Sequence, residues 1–165
     1  MARGRFITFE GGEGCGKSTQ VAPLFLAARA QLVRNVIRPA LDAGTWVVSD
    51  RFSDSTFAYQ GYGRGLPLDV LRLANDFACD GLVPDRTILL DVDPETSRAR
   101  LRRREAATQT SADRIERAGD AFHARLRKGF LEMAAREPAR IVKIDASGTP
   151  DEVEERIWKS LTPMI

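Results

Sequence analysis

The segment RFITFEGGEGCGKST, residues 5–19, constrains this chain more than any other. A β-branched and aromatic run, Arg5–Glu10, leads directly into glycines, and it predicts a buried strand. Gly11, Gly16, Lys17 and Ser18 then satisfy the pattern G-x-x-x-x-G-K-[ST]. Glycines there let successive backbone N–H groups converge on phosphate oxygens at the start of a helix. Lys17 would bring a charge to the β- and γ-phosphates, and Ser18 a hydroxyl to Mg²⁺. A chance glycine-rich turn is a weak rival, because a convincing strand stands immediately before it. The segment therefore predicts nucleoside triphosphate binding by Gly11, Gly12, Glu13, Gly14, Cys15, Gly16, Lys17, Ser18 and Thr19.

The rest of the chain alternates in the same way. Thr45–Ser49 (TWVVS), Thr87–Val92 (TILLDV) and Ile141–Ile144 (IVKI) repeat the strand signature. Helical patterns separate them over Phe25–Ala43, Leu68–Asp80, Pro94–Arg104, Asp113–Ala135 and Pro150–Ser160. Gly44 stands where a helix end favours glycine, and Pro94 and Pro150 stand near helix starts. Such alternation predicts an α/β fold, a parallel sheet with helices on both faces. At 165 residues one domain is expected, spanning 1–165. AATQTSA (106–112) reads as a mobile loop between two charged helices. No apolar run is long enough for a membrane span, and no signal-peptide pattern opens the chain. A net charge of +2 is too small to argue for nucleic acid. Two cysteines, Cys15 and Cys79, far apart and one inside the glycine loop, point to reduced thiols and a cytoplasmic setting.

A second chemical segment is DRFSDSTFAYQG, residues 50–61, placed at the carboxyl end of an expected strand, where ligands of open α/β sheets gather. Asp50 could hold Mg²⁺ or its waters, and Arg51 could fork onto a phosphate. As a dipeptide the two could equally be a surface ion pair. Five arginines at 98, 100, 102, 103 and 104 form either a solvated helix face or an electropositive lid.

Taken with LFLAARAQL (24–32), VIRPALDAGTWVVSDRFSDSTFAYQGYGRGLP (36–67), LVPDRTILLDVDPE (82–95), DRIE (113–116) and IDAS (144–147), the chain resembles the bacterial thymidylate kinases. The resemblance implies the P-loop NTPase fold with a helical lid at about 101–118, ATP and Mg²⁺ as cofactors, dTMP as acceptor, and a homodimer through helices near 24–43 and 68–80. It implies that Phe25 stacks on the thymine ring and Arg29 bonds its carbonyl. Phe25 and Arg29 lie one helical turn apart, although Phe25 alone could be plain core. It further implies that Arg51 grips the acceptor phosphate, that Thr56 contacts the base, that Tyr59 and Gln60 lie beside sugar and base, and that Glu13 meets the sugar 3′-hydroxyl. Lys17, Arg51 and Arg114 are the expected catalytic groups, and Ser18 and Asp50 the expected metal ligands. Some members carry an arginine inside the glycine loop; Cys15 stands there in this chain, so the arginine is expected from the lid. Arg114 is the first candidate, with Arg104 and Arg103 behind it.

Pro23 conflicts with this frame. The family's phosphate-loop helix continues, followed by a strand and a loop, before the LFLAAR helix begins. The residues from Gln20 to Leu24 reach about 14 Å at most, too little to descend the domain and return. Roughly 30–50 residues are expected to be missing between Gln20 and Val21 by ordinary element lengths. A break in the chain there is the preferred expectation, and a true deletion the alternative.

Overall fold

The computed structural model describes residues 17–108 and 119–164. Arg5–Glu10, the glycine loop Gly11–Gly16 and Arg114 lie outside the described residues. The chain forms two compact units. One holds the described residues up to Asp50 together with Arg72–Leu82, and the other holds Arg51–Leu71 and Val83 onward.

The first unit is helical. Helix α1 (Lys17–Leu32) passes through a π-helical turn, Val33–Ile37, into the short α2 (Arg38–Asp42). The wide turn falls just before Pro39, which has no N–H to continue the ladder. Val33 and Ile37 are its buried residues. Gly44 ends the run at φ 75°, and the Thr45 N–H returns to the Ala40 carbonyl at 2.8 Å. Helix α1 is unbroken across Gln20–Val21, where the sequence leads one to expect a gap. Pro23 therefore sits inside a helix, where its missing N–H leaves the Thr19 carbonyl without its partner; an interior proline costs about 3 kcal/mol. Leu68–Cys79 form α4, whose second half belongs to this unit.

Thr45–Ser49 is not a strand, which corrects the expectation. It is irregular, and Trp46 is 62% and Val48 94% exposed. A β-rich composition reports side-chain preference, whereas a strand also requires a neighbour for its N–H and C=O groups. Among the described residues the sheet pairs only Thr87–Asp91 with Ile141–Asp145.

Those two strands, β1 (Thr87–Asp91) and β2 (Ile141–Asp145), lie parallel in the second unit, with Thr87 opposite Ile141 and Asp91 opposite Asp145. The ladder extends at both ends through Thr87 N–H to Arg140 O and Ala146 N–H to Asp91 O, each 2.8 Å. Parallel pairing needs a long crossover, supplied here by α5 (Pro94–Thr108) and α6 (Asp120–Arg136). Asp93 Oδ1 caps α5 by accepting the N–H groups of Glu95 and Thr96. α7 (Pro150–Leu161) begins with a full capping box between Thr149 and Glu152.

The core of this unit lies along one face of α6. Phe122, Leu126, Gly129 and Met133 recur at helical spacing and are buried. They meet Ala58 and Ile141, with Phe57, Tyr59, Tyr62, Leu89 and Phe130 packed around them. Each fully buried large side chain contributes about 1.5–3 kcal/mol. The partner of α6 is a segment for which the sequence showed no helix: α3 (Ser53–Thr56) followed by a π-helical turn, Phe57–Gly63. Gly129 makes the close approach possible, since a Cβ there would lie 2.5 Å from Tyr62 Cγ.

Candidate functional site

Among the described residues helix α1 spans Lys17–Leu32, and the backbone N–H groups of a helix N-terminus suit phosphate. Lys17, Ser18 and Thr19 form its first turn. Asp50, in the same unit, is exposed. A serine hydroxyl and a carboxylate are both hard oxygen donors, so the donor set suits Mg²⁺. Among the described residues no group of three or more His, Cys, Asp or Glu is placed to hold a metal on its own.

Further along α1, Phe25 is 63% exposed, which removes plain core packing as its explanation. Arg29 is half-buried and donates from a terminal guanidinium nitrogen to Asn75 Oδ1 on α4. Asn75 is 2% exposed, and its Nδ2 has no partner. Burial pushes the neighbouring Cys79 thiol up. Nothing in the sequence reading singled out Asn75; a polar residue inside an apolar helix pattern was the available signal.

In the second unit, Arg51, Thr56, Tyr59 and Gln60 fall on one short stretch. Arg51 has φ 70°, a left-handed backbone uncommon for a residue with a Cβ. Its guanidinium stands 4.9 Å from the centroid of the Tyr59 ring, within cation–π range. The ring is held against Phe122 at 6.3 Å and edge-on to Phe130 at 6.5 Å. Because Thr45–Ser49 forms no strand, Asp50 and Arg51 do not sit at a strand's carboxyl end; they lie in a bend just before α3.

The arginine run divides. Arg98 pairs with Asp120 at 3.2 Å, and Arg100 donates to the carbonyls of Ala146 and Gly148 at 2.9 and 3.0 Å. These two brace the helix. Arg102, Arg103 and Arg104 are exposed along α5. At the carboxyl end of β1, Arg127 forks onto Asp91 at 2.7 and 2.9 Å, and that bonding raises the arginine's pKa further.

Residues 21–157 match the profile of the thymidylate kinase family. The chain belongs to that family. It is 38% identical over 207 positions to the thymidylate kinase of Deinococcus radiodurans, covering 98% of each chain. It is 41% identical over 206 positions to that of Solidesulfovibrio magneticus, covering 93% of this chain and 96% of the other. A crystal structure of thymidylate kinase from Ehrlichia chaffeensis superposes with a TM-score of 0.64 at 27% identity, over 88% of this chain and 65% of that one. The family fold is therefore the P-loop NTPase fold, as the parallel strands and their covering helices agree. The family match begins at Val21, immediately after the Gln20–Val21 peptide. The Deinococcus alignment has 207 positions and this chain 165 residues, so at least 42 positions have no residue of this chain opposite them.

Proposed function

We propose that this chain transfers the γ-phosphoryl group of ATP to dTMP, giving dTDP and ADP, with Mg²⁺ and in the cytoplasm. Membership of the thymidylate kinase family carries the reading. Lys17 offsets charge on the transferring group from the first turn of α1, and Ser18 and Asp50 supply oxygens to the metal. When bound, Mg²⁺ neutralises phosphate charge. Arg51 binds the acceptor phosphate, and Arg114 approaches from the lid at about 101–118, ahead of Arg104 and Arg103. Phe25, Arg29, Thr56, Tyr59, Gln60 and Glu13 position the nucleoside. Positioning and charge neutralisation account for catalysis in such kinases, with little covalent chemistry for the protein. The exposed side chains of Leu24, Leu32, Leu73 and Phe77 on α1 and α4 support a homodimer through these helices. Among the described residues no helix is long and apolar enough to cross a membrane.

The test is ADP release with dTMP, dUMP, dCMP or dGMP as acceptor. Release strongest with dTMP is expected; release independent of dTMP refutes the proposal. A second reading, a nucleotide-binding module without turnover, is favoured by the unbroken α1 across Gln20–Val21 and the unmatched positions of the relatives. It predicts ATP binding with no dTMP-dependent ADP.

A further inference from the structure

Asp54 lies three residues beyond Arg51 in the first turn of α3, and it is 8% exposed. Its two oxygens take the two arms of one guanidinium: Arg140 Nη2 to Oδ1 and Nη1 to Oδ2, both at 2.8 Å. Thr87, the first residue of β1, donates its hydroxyl to Oδ2 at 3.0 Å and accepts from Arg140 Nη1 at 3.1 Å. Glu137 takes the remaining Arg140 Nε at 2.8 Å. The carboxylate is therefore held at both oxygens by the residues that open β1 and precede β2.

A buried ion pair is a poor source of stability. Removing each ion from water costs several kcal/mol, and apolar replacements of similar volume are often as stable. Such pairs are best accounted for where they hold a particular geometry. The geometry beside this one is strained. A left-handed backbone is unfavourable for a residue with a Cβ, and it persists where its surroundings leave no alternative. Arg51 is that residue, caught between the pinned turn and the Tyr59 ring, which Phe122 and Phe130 hold.

We propose that Asp54, clamped by Arg140 and Thr87, is a positioning residue for acceptor binding, keeping Arg51 in its left-handed conformation with its guanidinium presented to a nucleotide monophosphate. The proposal rests on the reading of Arg51 as the acceptor-phosphate group. With the clamp intact, the fork meets phosphate without backbone rearrangement. Without it, Arg51 relaxes to a negative φ and its side chain swings away.

The experiment compares Asp54→Asn and Thr87→Val with Arg127→Lys, which disturbs the forked Asp91 pair of the same unit but not the Arg51 segment. Asp54→Asn is expected to raise KM for dTMP about tenfold and to leave KM for ATP within about twofold, with a smaller split for Thr87→Val. Should Asp54→Asn not fold, Thr87→Val, which removes one hydroxyl, carries the comparison. KM values for dTMP and ATP that rise together, or an equal split for Arg127→Lys, overturn the proposal. Tryptic cleavage after Arg51, followed by mass spectrometry without nucleotide, reads the clamp independently. Cleavage is expected to be faster in Asp54→Asn than in Arg127→Lys, and equal rates overturn the clamp. A native protein inactive toward dTMP, whose cleavage still depends on Asp54, overturns the acceptor reading instead.

Discussion

Arg51 concentrates the residue-scale argument. A dipeptide Asp-Arg is common, and its chemistry was visible only through the surrounding DRFSDSTFAYQG segment. Its positive φ and the ring beneath it belong to the folded chain. Arg51→Ala is expected to lower kcat/KM for dTMP by an amount equivalent to about 2–5 kcal/mol, the cost of losing a charge-assisted pair, while ATP affinity is retained. Unchanged kcat/KM for dTMP would remove Arg51 from the site. Gly129 makes a different residue-scale case. Its sequence signal was an ordinary glycine in a helix, yet any Cβ there meets the Tyr62 ring. Gly129→Ala should destabilise by about 1–3 kcal/mol in urea unfolding through overpacking, even though alanine is the better helix former.

Elements were legible where their signals were local. Leu68–Cys79 and Pro150–Leu161 follow the expected helices closely, because periodicity and capping residues lie within each segment, whereas Pro94–Thr108 runs four residues past its expected end, so that Ala106–Thr108 are helix and not the expected loop. Residues 53–63 escaped because the π-helical turn has no apolar period of its own and is shaped by α6 against it. The capping box of α7 offers a test at this scale. The Thr149 backbone N–H and hydroxyl donate to Glu152 Oε2 at 2.8 and 3.1 Å and hold its carboxyl below the ordinary range. A depressed folded-state pKa stabilises above the unfolded value, near 4.3 for glutamate. That contribution is lost as pH falls through the folded value. Glu152→Gln should therefore flatten the acid side of a stability profile taken from about pH 6 to 3, leaving the neutral side parallel to the native curve. Thr149→Ala should cost about 1 kcal/mol at neutral pH, and a smaller loss than a few tenths would discount the cap.

At the scale of the whole molecule, apolar surface remains to be covered. Leu73 is 75% and Phe77 89% exposed on α4, more than an isolated soluble domain usually leaves in one place. Phe77→Asp is expected to shift sedimentation at micromolar protein from dimer to monomer while the far-ultraviolet spectrum stays helical. A native protein that already sediments as a monomer rules out the dimer. Family membership also sharpens the meaning of the Gln20–Val21 peptide. At least 42 positions of the Deinococcus alignment have no residue of this chain opposite them, and α1 runs through Gln20–Val21 as continuous helix.

The α/β alternation, the helix starts at Pro94 and Pro150 and the glycine stop at Gly44 were all readable along the chain, because each depends on neighbours within a few residues. Partnership was not. TWVVS has every local mark of a strand and yet forms none among the described residues, since hydrogen bonds across a sheet come from distant segments. Asp54 and Arg140 are 86 positions apart and look like ordinary surface charges in the sequence. Folding places them 2.8 Å from one another at low exposure, where the lower local dielectric strengthens the pairing.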